Sequence, residues 1–280
     1  MRGRMNRRGL VEKKRCVCAW LAALVAFPAV ALAAEDLRVG ISESYPPLAF
    51  TKDGAPAGIE VELAPLVGKE LGRKVVLVPM KFAALVPALE AGRVDVVMSG
   101  LSITDERATK VRFTEPYLRV GQMALIRADD LDRAVDPEGI GAPGARVGVK
   151  TGTTGEGWAR QNLPKAKIVS FDTVDEGVAA LRADQVDYFV HDAPTVWRFT
   201  GRSDTRDEDL AGIYRPLTTE YLAWAVQSDD EALAAKLNAA LKALRADGRL
   251  QEVLDRWIPV TKVAVVTDAP QPTAAPPHAP

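Results

Sequence analysis

The stretch Ser99-Gly100-Leu101-Ser102-Ile103-Thr104-Asp105-Glu106-Arg107 gathers hydroxyls, backbone amides and a guanidinium in one short run, and the chemistry such a run could do is anion recognition. Thr104 reads as a helix N-cap, with Asp105 and Glu106 in the first turn, where carboxylates suit the helix dipole. Arg107 does not suit that place, and an external anion accounts for it. A helix N-terminus offers unpaired N–H groups, Ser102 and Thr104 add hydroxyls, and an arginine fork takes a carboxylate through two parallel bonds. A solvated arginine on a surface helix is the commoner alternative. His191-Asp192 follows a second strand-like run; as chain neighbours they rarely face each other, which argues against a catalytic pair. Gly152-Thr153-Thr154-Gly155 has the form of a turn and cap. It lacks the Gly-Lys-Ser/Thr of a phosphate-binding Walker loop.

The elements that must position these groups alternate between strand and helix. Leu37 to Ile41 reads as a strand, and Ser42 to Ala57 as a loop with turn signals at Pro46-Pro47 and Asp53-Gly54. Apolar residues at helical spacing predict a helix over 59–71, bent or started near Pro65 and ended by Gly72. Val75 to Val78 follows as a strand, Phe82 to Leu89 as a helix and Val94 to Met98 as a strand. Phe113 to Tyr117 is a non-helical crossing and Val120 to Ile126 a strand. Asp129 to Ala145 is a polar loop with at most one helical turn. Strands at 147–149, 168–169 and 186–190 then alternate with helices at 154–162, 174–181 and 192–199. Tyr221 to Val226 is an apolar strand that returns the chain to the first half. The Leu233-Leu237-Leu241-Leu244 stripe and Leu250 to Trp257 are the closing helices. Such alternation argues for parallel sheets covered on both faces. Leu89-Glu90-Ala91-Gly92-Arg93-Val94-Asp95 lines up with Leu181-Arg182-Ala183-Asp184-Gln185-Val186-Asp187, which suggests two lobes of similar plan or a common helix–strand corner. Ligands in open α/β sheets bind beyond the carboxyl ends of strands. Ser99–Ser102 and His191-Asp192 stand at two such ends, and facing each other they would form one cleft.

Of the 280 residues, 26% are charged and 48% hydrophobic, an ordinary globular composition with room for two modest domains. Residues 1–33 stand apart: a basic segment from Arg2 to Arg15, an apolar run from Cys16 to Leu32, and a small-x-small site at Ala31-Leu32-Ala33. This predicts a cleaved signal peptide, and the short Ala-rich run argues against an uncleaved anchor. Cys16 and Cys18 precede the apolar run, where lipoprotein processing does not use them. Cleavage takes away seven basic residues and one acidic residue and leaves a net charge of −7, a poor match for nucleic acid or an anionic membrane. The remaining chain has no cysteine, and only His191 and His278 as imidazoles, so neither disulfides nor a structural zinc site is expected. From Thr267 the chain is Ala- and Pro-rich, as in a disordered tail.

In order and spacing, residues 37–258 resemble the family 3 bacterial extracellular solute-binding proteins, the periplasmic amino-acid receptors of ABC importers. The matching pieces are Leu37-Arg38-Val39-Gly40 with Tyr45-Pro46-Pro47 and Phe50, and Gly58-Ile59-Glu60-Val61-Glu62-Leu63-Ala64. Pro87-Ala88-Leu89 with Gly92-Arg93-Val94-Asp95 and the Ser102–Arg107 run follow. Phe113-Thr114-Glu115-Pro116-Tyr117, Gly152-Thr153-Thr154-Gly155-Glu156 and Ala246-Asp247-Gly248 with Trp257 complete the pattern. The resemblance implies a type II two-lobed clamshell of mostly parallel sheets flanked by helices and joined by two hinge strands. Its lobes would be 36–120 with 222–260, and 121–221, between a signal peptide (1–33) and a disordered tail (261–280). It also implies roles. Arg107 grips the ligand α-carboxylate with Ser102 and the backbone at Gly100. Thr153 and Thr154 hold it from the other lobe, and Asp192 pairs with the α-ammonium. Tyr45 and Phe82 sandwich the side chain, and Lys150 and His191 match positions near the ligand in glutamine-binding members. Ser42 stands where many members carry an Asp that touches the ligand side chain, which leaves the identity of the amino acid open.

The implied function is a monomeric periplasmic receptor, without cofactor or metal, that closes on a polar amino acid and delivers it to an inner-membrane permease. The alternative is an enzyme on the same fold. Met98-Ser99-Gly100-Leu101-Ser102 and Asn162-Leu163-Pro164-Lys165-Ala166 are similar to periplasmic cyclohexadienyl dehydratases. Such an enzyme needs a placed general acid, and no extra carboxylate is assigned to the cleft. A sensor module is a third class, but no membrane segment or signalling domain is recognised after the clamshell.

Overall fold

The protein is described by a computed structural model covering residues 35–134, 139–200 and 208–258. The expected signal peptide and tail lie outside these residues.

The first lobe opens with β1 (Leu37–Ile41), followed by three short strands, β2 (Ser44–Tyr45), β3 (Ala49–Lys52) and β4 (Ala55–Ala57). Then come α1 (Ile59–Leu71), β5 (Val75–Pro79), a 3₁₀ turn at Phe82–Ala84 leading into α2 (Leu85–Glu90), β6 (Val96–Ser102), α3 (Asp105–Ala108), β7 (Val111–Phe113) and β8 (Leu118–Val120). The second lobe holds β9 (Gln122–Arg127), α4 (Leu131–Ala134), β10 (Arg146–Lys150), α5 (Thr154–Asn162), β11 (Lys167–Phe171), α6 (Val174–Arg182), β12 (Tyr188–Asp192), α7 (Ala193–Thr200) and β13 (Leu210–Ile213). The chain returns through β14 (Glu220–Gln227) to α8 (Glu231–Ala246) and α9 (Arg249–Trp257).

Two sheets share one plan. The first runs β5-β1-β6-β14-β7, with β8 also on β14; the second runs β11-β10-β12-β9-β13. In each, three parallel strands form one side and antiparallel strands, which carry the chain to or from the other lobe, form the other. Both faces are covered. The Leu233, Leu237, Leu241 and Leu244 stripe of α8 packs with α1 and α9 on one face of the first sheet, while Leu85, Leu89 and Leu101 close the opposite face. Each of those α8 leucines is buried, contributing about 2 kcal/mol by leaving water. In the second lobe Val178, Leu181 and Val196 cover one face, and Ala159 and Leu163 the other.

Four local expectations are corrected. Residues 42–57 form a small sheet rather than a loop: Asp53 and Gly54 both have positive φ, as a two-residue hairpin turn requires, and Lys52 pairs with Ala55. The strand expected at 94–98 runs on to Ser102, because β14 pairs with its polar end. The strand expected at 186–190 sits at 188–192, so Asp192 ends a strand, paired with Gln122, instead of starting a helix. The strand expected at 120–126 is broken at Gly121, where a Cβ would lie 2.1 Å from the Thr218 carbonyl oxygen; the two crossings of the chain touch here. β13 was not anticipated.

Candidate functional site

The parallel strands of the two sheets end towards each other, and the groups singled out in the sequence meet there. From the first lobe come Ser42 after β1, Tyr45 on β2, Phe82, the Gly100–Ser102 end of β6 and Arg107 on α3. From the second come Lys150 at the end of β10, Thr153 and Thr154 at the start of α5, and His191 and Asp192 at the end of β12.

Arg107 lies on a helix only four residues long, whose N-cap Thr104 accepts from the Arg107 backbone N–H. Its guanidinium donates from Nη1 to the Ser102 carbonyl (2.8 Å) and from Nη2 to the Gly152 carbonyl of the other lobe (3.1 Å). It also stands 5.6 Å from the centre of the Phe82 ring. Asp192 is buried. It accepts from the Tyr45 hydroxyl across the lobes and from Gln122 Nε2 within its own. Lys150 Nζ donates to the Ser44 carbonyl (3.1 Å) and Ser44 Oγ (2.9 Å), and lies 5.7 Å from the centre of the Tyr45 ring and 5.2 Å from that of Phe82. Ser42 donates its backbone N–H to Ser99 Oγ, with its own hydroxyl 3.0 Å from that of Ser44. Thr153 Oγ1 caps α5 and donates to the Lys150 carbonyl (2.7 Å), so that hydroxyl serves the local turn. Thr195 Oγ1 donates to the Pro46 carbonyl (2.9 Å) of the first lobe and lies 3.0 Å from His191 Nδ1, which must then carry the proton. His191 Nε2 is left buried, as a lone pair without a hydrogen-bond partner among the described residues.

Burial and neighbours set the charges. Burial, helped by Glu220, pushes the Asp192 carboxyl up to about 7, against the bonds from Tyr45 and Gln122 and the charge of Arg107. Burial lowers Lys150 to about 8, with Asp192 opposing. Burial, with Lys150 close by, holds His191 well below the usual imidazole range, so it is neutral.

Sequence reasoning missed two residues here. Glu220, at the start of β14, accepts from Gln122 Nε2 (3.0 Å), Thr218 Oγ1 (2.7 Å) and Thr154 Oγ1 (2.6 Å). Gln122 thereby bridges two carboxylates. The only available signal was position: Gln122 follows Gly121 and Glu220 precedes an apolar strand, both at lobe crossings. Chemically, a cation and a carboxylate from opposite lobes suit a zwitterion, and aromatic faces beside Lys150 suit a polar side chain.

A family model described as bacterial extracellular solute-binding proteins, family 3, matches residues 37–260. Escherichia coli (strain K12) ABC transporter arginine-binding protein 1 is 31% identical over 247 residues, covering 85% of this chain and 98% of that one. The crystal structure of the ancestral amino acid-binding protein AncCDT-1, a precursor of cyclohexadienyl dehydratase, is similar at a TM-score of 0.75 and 33% identity, over 80% of this chain and 95% of that one. An ancestral arginine-binding protein bound to glutamine is similar at 0.72 and 29% identity, over 80% and 98%. With two sheets of the same plan closing on one site and these matches along nearly the whole described chain, the protein belongs to the bacterial extracellular solute-binding proteins, family 3.

Proposed function

We propose that this protein is the periplasmic receptor of an amino-acid ABC importer: a monomer that closes on one free amino acid and hands it to an inner-membrane permease. The observation that carries this reading is that Arg107 from the first lobe and Asp192 from the second stand in one cleft, close enough for each to feel the other's charge. Arg107, with Ser102 and the backbone at Gly100, takes the α-carboxylate. The start of α5 at Thr153 and Thr154 meets it from the other side, and Asp192 takes the α-ammonium. The lobes in this reading are 36–120 with 222–260, and 121–221, and export uses residues 1–33 as a signal peptide.

For the side chain we infer a neutral polar amino acid, glutamine-like, ahead of an acidic one, with arginine and lysine disfavoured. Lys150 Nζ already lies beside the rings of Tyr45 and Phe82. A second cation between those rings would be buried against it, and Ser42 offers no charge in compensation. The E. coli relative is named for arginine and the ancestral structure for arginine with glutamine bound, so the two outcomes are sharply opposed. A thermal-shift panel of the common amino acids at equal concentration decides between them. Glutamine should give the largest stabilisation; arginine or lysine in first place would show that an anionic group, Glu43 or Glu220, faces the side chain.

We further infer that the protein acts by binding and not by catalysis. One observation favours the rival reading, a dehydratase-like enzyme: a carboxyl pushed to about 7, as in Asp192, suits a general acid at neutral pH. Both Asp192 oxygens, however, are engaged by Tyr45 and Gln122. Incubation with a cyclohexadienyl acid, followed by absorbance for an aromatic product, should show no turnover; product formation would establish the enzyme.

A further inference from the structure

The ligand edge of the first lobe is an irregular piece of sheet. On β6, Val97 pairs with Ala225 and Leu101 with Ala223, so Met98, Ser99 and Gly100 together face Trp224 alone. Such a bulge takes backbone groups off the ladder and re-aims the strand. Gly100 has φ of +63°, and a Cβ there would lie 2.6 Å from a Tyr45 ring carbon, so the bulge packs directly against the tyrosine that reaches Asp192.

The freed Gly100 N–H donates to Glu60 Oε1 at 2.9 Å. The same oxygen accepts from the Tyr117 hydroxyl (2.6 Å), and Glu60 Oε2 accepts from Trp224 Nε1 (2.9 Å). Glu60 stands in the first turn of α1 and is fully buried. Tyr117 and Trp224 stack on each other, with Tyr117 next to β8 and Trp224 on β14, the strands that lead to the two lobe crossings. Burying a carboxylate is costly, and a core that needed only packing would be served by an apolar side chain.

We propose that Glu60 is a positioning residue for ligand binding, which fixes the bulged Ser99–Ser102 edge in its binding shape and ties it to both crossing strands. The proposal rests on the reading of that edge as the wall that meets the ligand. Its three donors match an ionised carboxylate, and an amide in its place would present a donor to a donor.

The test uses ¹⁵N-labelled protein without its leader, titrated with L-glutamine and with L-arginine for Kd, and followed at the Trp224 indole N–H resonance. In the wild type that resonance should move on ligand addition. Glu60→Gln should keep its circular dichroism, bind at least tenfold more weakly and lose the Trp224 response. Tyr117→Phe, which is nearly isosteric, removes one donor, so Glu60 protonates more readily. Tyr117 is the titratable group in contact with Glu60, and the affinity of this variant should fall more steeply than wild type from pH 8 to pH 5.5. A lowered melting temperature with Kd within twofold of wild type would assign Glu60 to the core alone and overturn the proposal. So would a Tyr117→Phe pH profile parallel to wild type. Wild-type protein that binds neither amino acid overturns the ligand reading itself, and this inference with it, before any variant is compared.

Discussion

At Arg107 both terminal guanidinium nitrogens are engaged by backbone carbonyls, Ser102 in one lobe and Gly152 in the other. Those two bonds aim the head, and if it takes the ligand carboxylate as proposed, its removal strips that buried carboxylate of its charged partner. Arg107→Ala should keep the fold and cost at least about 3 kcal/mol of binding by titration calorimetry; an unchanged Kd would remove Arg107 from the site. In the proposed site the pH dependence falls to Asp192. Its carboxyl is raised to about 7, so below that pH it holds a proton that a ligand ammonium must expel. Tyr45, Gln122, Glu220, Arg107 and Lys150 surround it, and Lys150 keeps its charge up to about 8. Affinity should climb as pH rises from 5.5 to 7, by up to about tenfold per pH unit, and level off above 7. The stability of the ligand-free fold runs the other way: a raised carboxyl favours the native state when protonated, so that contribution declines as pH rises to about 7. Calorimetry at pH 6 in buffers of different ionisation enthalpy should register proton release; a Kd flat from pH 5.5 to 7.5 would exclude Asp192 as the ammonium partner. The sequence singles out Arg107 because a cation in a first helical turn is out of place, and Asp192 because it follows a strand-like run and the family resemblance assigns it the ammonium. It does not single out Glu60, Gln122 and Glu220, because isolated polar residues reveal a site only through their partners. Theirs lie 57, 98 and 164 positions apart, as in Glu60–Tyr117, Gln122–Glu220 and Glu60–Trp224.

Two elements of the fold repeat more deeply than the helix–strand corner noticed in the sequence. Arg38-Val39-Gly40 on β1 recurs as Arg146-Val147-Gly148 on β10, and each segment is bonded to the aspartate of a Val-Asp pair. Asp95 accepts from the Arg38 backbone N–H at 2.8 Å and Asp187 from that of Arg146 at 2.8 Å, and each also holds its arginine's side chain. A Cβ on Gly40 would meet Val94, and one on Gly148 would meet Val186, so the glycine lets each strand lie close to its corner. Burial works against ionisation of Asp95, but its bonds to Arg38 outweigh it; the Arg146 bonds lead at Asp187, and both carboxyls sit below the usual value. Asp95→Asn and Asp187→Asn should each destabilise by about 1–2 kcal/mol in urea at pH 7, with partial exposure limiting the effect. For a depressed carboxyl that advantage is present above the unfolded value of 3.8 and disappears as pH falls through the folded one. Either variant matching wild type at pH 7 would make the shared corner incidental. Periodicity made the long helices and inner strands legible, since their buried faces recur at fixed spacing. It failed for β2, β3 and β4, each two to four residues long, where Asp53-Gly54 was the only hairpin signal.

Across the whole molecule the contacts between lobes fall in a line set by the strand order of the two sheets. The line starts at the crossings themselves, where one connecting segment lies against the other at Gly121 and Thr218, and Glu220 at the start of β14 reaches Thr154. Farther out are Tyr45 with Asp192, Thr195 with Pro46, and Lys150 with Ser44. At the lip, beyond the outermost strands β5 and β11, Lys81 Nζ meets Asp172 Oδ2 at 2.6 Å. A ligand that touches both walls favours the closed arrangement by its differential contacts, so small-angle scattering should show a smaller radius of gyration under saturation; no change would argue for a rigid site. The lip pair has the longest lever arm on that motion but is mostly exposed, so it tunes closure more than it drives it. Lys81→Asp should raise Kd by no more than about fivefold, mainly through faster ligand release, and the effect should shrink at high salt as screening takes over. Adding Asp172→Lys should restore the wild-type rate with the charges exchanged. If the double variant releases ligand as fast as the single one, the two side chains do not act as a pair, and closure is held by the contacts deeper in the cleft, those of Arg107, Thr195, Asp192 and Lys150.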